Sequence, residues 1–119
     1  MAFGNLTPEI DVHSLATKLK SDEVFVLLDV RELFELARAK ITDSRLTVVP
    51  MSRLSNEGVE ALPESARSRN AEIYVMCHHG IRSADVTRWL AAQGWDNVFS
   101  VRGGIDAYAR EIDETVGFY

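Results

Sequence analysis

The chain has 119 residues, and its 13 Lys and Arg against 18 Asp and Glu give a formal net charge of −5. This length predicts one globular domain, over residues 1–119, that needs neither disulfides nor a structural metal, and the acidic balance argues against a nucleic-acid partner. The longest apolar run, Val24 to Leu28, is far shorter than the ~20 residues that cross a bilayer, and no signal peptide is visible, so we expect a cytoplasmic protein with no membrane partner.

Hydrophobic patterning predicts strands that alternate with helices along the chain. The first helix follows a plausible N-cap, Asp11, and shows apolar residues at helical spacing: Val12, Leu15, Ala16 and Leu19. The run from Val24 to Val30 is apolar apart from Asp29 and does not alternate, which is typical of a strand buried on both faces of a sheet. Further strands are predicted at Ile10, 46–49, 72–76 and 97–101, and further helices at 32–39, in one or two short segments between 51 and 70, at 83–93 and at 105–112. This order predicts an α/β fold with a mainly parallel sheet of about five strands and helices on both faces.

Cys77 is the only cysteine, which excludes an intramolecular disulfide and every multi-cysteine zinc arrangement. It follows a predicted buried strand and opens the string Cys77-His78-His79-Gly80-Ile81-Arg82-Ser83, which leads into a predicted helix. Ligands bind at the carboxyl ends of strands in open α/β sheets, so an active site is expected in this loop. Backbone N–H groups and the helix N-terminus favour a thiolate there, Gly80 permits close backbone approach, and Arg82 adds a positive charge.

The loop has two alternative interpretations. A lone cysteine is commonly a small buried hydrophobe, but the strand-loop-helix context, the glycine and the arginine argue against that role for Cys77. A metal site is disfavoured because Cys-His-His in direct succession lacks the spacing that lets three ligands converge on one ion. His78 and His79 are instead expected to line the loop and to add positive charge as the pH falls.

The string from Cys77 to Ser83 resembles the active-site loop of the rhodanese family of sulfurtransferases, which runs Cys-x-x-Gly-x-Arg-Ser. The stretch Leu28-Asp29-Val30-Arg31-Glu32 is similar to the family's Asp-Val-Arg signature, and 101–108 is similar to its Gly-Gly-x-x-Ala-Trp segment, with Tyr in place of Trp. Three motifs in the same order extend the resemblance over about residues 8–112 and leave a tail at 113–119. The segment Ala39 to Arg45 departs from the family's Gly-His-Ile-Pro-Gly-Ala, so the turn there is expected to differ.

The resemblance implies a rhodanese-like three-layer α/β/α fold and a sulfurtransferase without a cofactor. Cys77 would take a sulfane sulfur from thiosulfate or a persulfide, hold it as a persulfide, and pass it to an external thiol, to cyanide or to an acceptor protein. Related phosphatases place one more residue between cysteine and arginine. Four residues stand between Cys77 and Arg82 here, so phosphatase activity is disfavoured.

Under this hypothesis the backbone N–H groups of the loop stabilise the anionic persulfide. Arg82 attracts an anionic donor or pairs with a carboxylate that shapes the loop, and Asp29 is the candidate for that carboxylate. Asp29 has an alternative role as a cap of the next helix. Arg31 is expected to hold Glu35 or a backbone carbonyl, and Gly103-Gly104 is expected to form a tight strand-to-helix turn beside the site.

Two alternative functions stay open at this point. A rhodanese-like regulatory or docking module would use the fold with an idle thiol, and the intact cysteine, glycine and arginine argue against it. A sulfur-relay partner in cofactor or tRNA thiolation is the second alternative, because the tail from Ile112 to Tyr119 is similar to the ends of rhodanese domains in such pathways. The tail is otherwise expected to act as a strap in which Phe118 and Tyr119 cover apolar surface.

Overall fold

The computed structural model describes residues 6–119, and within that range the chain forms five strands and four α-helices. The strands are β1 (Glu9–Ile10), β2 (Val26–Asp29), β3 (Leu46–Val48), β4 (Ile73–Met76) and β5 (Val98–Val101). The helices are α1 (Val12–Leu19), α2 (Met51–Glu57), α3 (Ile81–Ala92) and α4 (Gly104–Glu111), and 3₁₀ turns occupy Leu33–Ala37, Gly58–Ala61, Glu64–Ala66 and Glu114–Val116. None of these helices combines the length and the apolar character that crossing a bilayer requires.

The five strands form one parallel sheet in the order β1-β5-β4-β2-β3, which confirms the predicted α/β architecture. Every residue of β2 and β4 is buried, as the unbroken apolar pattern of these strands indicates. Asp29 at the end of β2 pairs in register with Met76 at the end of β4. Because all strands run the same way, their carboxyl ends share one edge, called here the carboxyl edge, and the segments that follow β2, β4 and β5 meet there.

Two hydrophobic clusters cover the two faces of this sheet. Successive residues of β2 point to opposite faces, so Leu28 lies in one cluster and Leu27 in the other. Each cluster is completed by helical residues, which are Leu54 of α2 and Leu90 of α3 on the first face, and Leu15 of α1 and Ile105 of α4 on the second. The helices therefore form the two outer layers of an α/β/α sandwich.

Local structure differs from the predicted boundaries where special backbone conformations or side-chain contacts act. Helix α3 begins at Ile81 rather than Ser83, because Gly80 adopts φ 98° and turns the chain directly into the helix. The helix expected over 32–39 is a 3₁₀ helix, and Glu35 accepts a hydrogen bond from the Glu32 N–H at its start, at 2.9 Å. The extended run predicted from Val24 begins as a strand only at Val26, and Val24 itself is exposed.

Arg45 holds the segment 39–45, where the sequence departs from the family pattern. Its guanidinium pairs with Asp43 at 2.8 Å and donates to backbone carbonyls at and after the end of α1: Leu19 at 2.8 Å, Ser21 at 3.0 Å and Glu23 at 3.0 Å. The last carbonyls of a helix lack partners inside it, so the arginine acts as a C-terminal cap. Side-chain hydrogen bonds thus hold this segment, which lacks the glycine and proline of the family pattern.

Candidate active site

The Cys77 sulfur lies at the carboxyl edge, directly after β4, in a loop that wraps around it. The residue is 1% exposed. The backbone N–H groups of Gly80 and Ser83 donate to Sγ at 3.1 and 3.3 Å, and the Ser83 Oγ lies 3.5 Å from it. The two backbone N–H donors converge on one atom, so the loop favours negative charge on that sulfur.

The glycine pair after β5 brings helix α4 against this loop, as expected for a tight turn beside the site. Gly103 and Gly104 adopt φ 75° and φ 62°, in the left-handed region. A Cβ on Gly104 would clash with the backbone carbonyls of Cys77 and His78. The same two carbonyls accept hydrogen bonds from the first turn of α4, from the N–H of Ile105 at 2.9 Å and of Asp106 at 3.1 Å. The loop is therefore fixed from its carbonyl side by α4 while its N–H groups face the sulfur.

Arg82 forms a two-pronged ion pair with Glu35. The two terminal guanidinium nitrogens lie 2.8 and 2.9 Å from the two carboxylate oxygens, and Glu35 is 6% exposed. The Tyr119 hydroxyl donates to the same carboxylate at 2.8 Å. Hydrogen bonds from Arg82 are the largest cause that lowers the pKa of Glu35 to about 2, and the pair also raises the pKa of Arg82. Both groups are therefore charged at neutral pH.

The prediction that Asp29 is the partner of Arg82 is wrong. Asp29 instead pairs with Arg31, which donates through Nε at 3.0 Å and through a terminal nitrogen at 2.8 Å, and both side chains are fully buried. Asp29 also accepts the backbone N–H of Arg31, so a partner two residues away saturates it. Nor does Asp29 cap the next helix, since Glu32 occupies that position. Arg31 reaches the backbone carbonyl of Glu35 at 3.4 Å, in line with one of its two expected roles.

The two histidines of the Cys77 loop and Tyr119 of the tail form a group of three packed rings. The Tyr119 ring lies 3.7 Å from the His78 ring at an interplanar angle of 5°, and the His79 ring lies 3.8 Å from His78 on the same stack. Burial, with a contribution from His79, lowers the pKa of His78, so its imidazole is uncharged near neutral pH. The expected strap is therefore partly confirmed: Tyr119 packs on the core but also covers His78, whereas Phe118 is about half exposed.

His79 faces a carboxylate of α4. Its Nδ1 lies 3.8 Å from the Asp106 carboxylate, and His78, His79 and Asp106 bring potential ligand atoms within 4.8 Å of one another. The two histidine rings are tilted by 31° to each other, and the Cys77 sulfur is not part of this group.

Three residues at the site lie outside the sequence prediction or have roles it did not assign. Ser100 of β5 is fully buried, and its Oγ lies 2.8 Å from that of Ser83. A serine within the apolar strand Val98–Val101 is the signal that could have identified it. Glu35 stands at capping-box spacing from Glu32, which predicts a helix start but not an arginine partner. Nothing in the local pattern assigns the Tyr119 hydroxyl to Glu35.

The chain matches known proteins along most of its length. The model of the rhodanese-like domain family matches residues 11–111. A sulfurtransferase from Allochromatium vinosum is 34% identical, with 86% of this chain and 88% of that protein covered, and the thiosulfate sulfurtransferase GlpE of Actinobacillus succinogenes is 34% identical over 92% and 87%. The chain spans only 37% of a longer relative, the chloroplastic rhodanese-like/PpiC domain-containing protein 12 of Arabidopsis thaliana, at 32% identity over 93% of this chain. The crystal structure of a rhodanese-related protein from Thermoplasma volcanium superposes with a TM-score of 0.70 at 31% identity, over 88% of this chain and 93% of that one. The chain belongs to the rhodanese-like domain family.

Proposed function

We propose that the protein is a sulfurtransferase that carries a sulfane sulfur as a persulfide on Cys77. The observation that carries this proposal is the pair of backbone N–H groups, from Gly80 and Ser83, aimed at one buried sulfur at the carboxyl edge. Such donors stabilise a thiolate before the reaction and an anionic persulfide after it. A cysteine that only filled the core would not require them.

The proposed reaction has two halves, and in each half one bond to the transferred sulfur forms while its existing S–S bond breaks. In the first, the Cys77 thiolate attacks the outer sulfur of the donor and the donor's own S–S bond breaks. When the donor is thiosulfate, sulfite leaves with the electron pair of that bond. When the donor is an organic persulfide, the organic thiolate leaves with it. In the second half an acceptor thiolate or cyanide attacks the terminal sulfur and restores the Cys77 thiolate. The products are an acceptor persulfide or thiocyanate.

Arg82 and Glu35 act in this proposal as positioning residues. Arg82 lies in the first turn of helix α3, and its ion pair to Glu35 connects this turn, which directly follows the loop, to the 3₁₀ helix after β2. That bridge holds the loop N–H groups at fixed distances from the sulfur without reorganisation during the reaction. The sulfur acceptor is a separate molecule, because this chain has no second cysteine that could resolve the persulfide as a disulfide.

Intact-mass spectrometry before and after treatment with a sulfane sulfur donor tests the proposal. We expect a gain of one sulfur atom that maps to Cys77, is absent in Cys77→Ser and is removed by cyanide. No gain in the wild-type protein, or a gain that persists in Cys77→Ser, would contradict the proposal. The first of those outcomes is also what a docking module with an idle thiol would give.

A further inference from the structure

We infer that the donor selected by this site is an organic persulfide, R–S–SH, whose R group is uncharged next to the sulfur, in preference to anionic donors such as the thiosulfate dianion. This inference rests on the proposed function and narrows its substrate class. It follows from three features of the loop and its surroundings: Arg82 is already paired with Glu35, the two histidines add little positive charge, and large apolar side chains in the segments that carry the ion pair are exposed.

Arg82 is the only arginine or lysine between Cys77 and Ser83, so it is the permanent cation that the loop itself could offer to an anionic donor. Both of its terminal nitrogens are bound to the two oxygens of Glu35. Glu35 is buried and also accepts a hydrogen bond from the Tyr119 hydroxyl. Moving the carboxylate aside to admit a sulfonate would therefore break these hydrogen bonds. An anion approaching Arg82 therefore meets a neutral pair.

The other polar groups at the mouth offer little positive charge. His78 lies between the rings of Tyr119 and His79, and its imidazole is uncharged near neutral pH. His79 faces the carboxylate of Asp106, which is also paired with Arg110 at 2.9 Å. A second negative charge at this place would lie beside an existing carboxylate, and that arrangement is unfavourable.

Neighbouring arginines are neutralised in the same way. Arg31, next to the Glu35 carbonyl, is bound to Asp29, and Arg102, which follows β5, is bound to Glu9 at 3.1 Å. Four of the arginines that follow β2, β4 or β5, namely Arg31, Arg82, Arg102 and Arg110, thus contact a carboxylate.

Three large apolar side chains that are close in sequence to the ion pair of Arg82 and Glu35 are exposed to solvent. Ile81 directly precedes Arg82 and is 75% exposed, and Leu33 and Phe34 directly precede Glu35 and are 67% and 76% exposed. The ion pair brings these two segments together, so the three exposed side chains lie in the segments on either side of it. Exposed apolar side chains next to a site favour a ligand with an apolar surface. An uncharged R group gains contact with them, whereas a sulfonate must be desolvated against them.

The loading step is a thiol–persulfide exchange that balances without an oxidant or reductant. The Cys77 thiolate attacks the outer sulfur of R–S–SH, a bond forms between the two sulfurs, and the S–S bond of the donor breaks. Its electron pair leaves with R–S⁻, and the proton stays on the transferred sulfur. Cys77–S–SH and R–S⁻ are the products.

Two donors with the same ethyl chain but a neutral or an anionic end group test the inference: 2-hydroxyethyl hydropersulfide and 2-sulfonatoethyl hydropersulfide, with thiosulfate as a third arm. We expect kcat/KM for loading Cys77, followed by intact mass in rapid-quench samples, to be about threefold to tenfold higher for the hydroxyethyl donor. In Glu35→Gln the charge of Arg82 is released, so the ratio of sulfonated to uncharged donor should rise by about the same factor. A ratio is independent of the fraction of active protein, which protects the result if the variant is partly unfolded.

Glu57→Gln is the matched control, because Glu57 also pairs with an arginine, Arg53 at 3.0 Å, but does so at the far end of α2. It should leave the donor ratio unchanged. The inference is overturned if the wild-type protein loads the sulfonated donor or thiosulfate as fast as the uncharged one, or if Glu35→Gln leaves the ratio where it was. If no donor loads Cys77 at all, the proposed function itself fails, and that outcome is distinct from the first two.

Discussion

The buried pair of Asp29 and Arg31 gives a stability prediction that follows directly from the geometry. Asp29→Asn keeps the size of the side chain and one acceptor oxygen, but it leaves the Arg31 guanidinium charged in a site where both residues are 0% exposed. Removing one partner of a buried ion pair costs about 3–5 kcal/mol, because the remaining charge has lost both water and its counter-charge. A domain of this length has roughly 6–18 kcal/mol of stability in total, so the variant loses a large share of it.

Urea unfolding followed by circular dichroism measures this loss as a lower midpoint at an unchanged m value. Glu57→Gln serves again as the control, because it breaks an ion pair that is about half exposed on both sides and should cost about 0–1 kcal/mol. The double replacement Asp29→Leu with Arg31→Met removes both charges together and should recover a substantial part of the loss. A cost for Asp29→Asn no greater than that of Glu57→Gln would refute the reasoning that desolvation makes this pair indispensable.

Three further predictions concern residues that shape the site. The folded-state pKa of Glu35 is lowered to about 2 from a usual value of 4.5, so its contribution to stability is full above pH 4.5 and is lost as the pH falls towards 2; thermal unfolding should show the difference between wild type and Glu35→Gln shrink across that window. Ser100→Ala removes the hydroxyl that orients the loop serine, and the alkylation rate of Cys77 by iodoacetamide at fixed pH should fall about twofold to fivefold, equivalent to about 0.5–1 kcal/mol. Gly104→Ala forces a Cβ against the Cys77 and His78 carbonyls, and it should lower both the unfolding midpoint and the rate of persulfide loading.

Each of the last two predictions has a matched control in the same chain. Thr87→Val removes another fully buried hydroxyl, one with no hydrogen-bond partner among the described residues, and it should leave alkylation unchanged and stability equal or slightly higher. Gly58→Ala introduces a side chain at φ 68° and ψ −151° but into open space, so it should cost only the backbone strain of about 1–3 kcal/mol. If Ser100→Ala and Thr87→Val behave alike in alkylation, Ser100 has no positioning role. If Gly104→Ala is no worse than Gly58→Ala, the contact with the loop is not critical.

The layers of the fold could be predicted because each buried strand or helix face has an apolar pattern within a short, continuous stretch of the sequence. Strands β2 and β4 are buried on both faces, and that environment requires the unbroken apolar runs from which both were predicted. The 3₁₀ helix at Leu33–Ala37 was harder to predict, because Glu35 within it is held by Arg82, 47 positions away. The boundary of α3 depended on the φ of Gly80, which a pattern of apolar residues does not reveal.

In the candidate site, too, local features could be predicted from the sequence and long-range contacts could not. The position of Cys77 between a strand and a helix is local, so the loop and its converging N–H groups could be anticipated from the order of residues. The partner of Arg82 is a long-range choice between two carboxylates, Asp29 and Glu35, that both follow or end β2. Arg31 lies two residues from Asp29 and occupies it, which leaves Glu35 for the loop, and only the three-dimensional packing shows this. The ring of Tyr119 on His78 belongs to the same class of contact.

A single-turnover experiment tests the central claim most directly. Protein loaded with a hydropersulfide, freed of excess donor by gel filtration and mixed with cyanide should release one equivalent of thiocyanate per Cys77 and return to its original mass. Cys77→Ser treated in the same way should release none. Loaded protein that yields no thiocyanate, or a variant that yields as much as the wild type, would contradict a persulfide carried on Cys77.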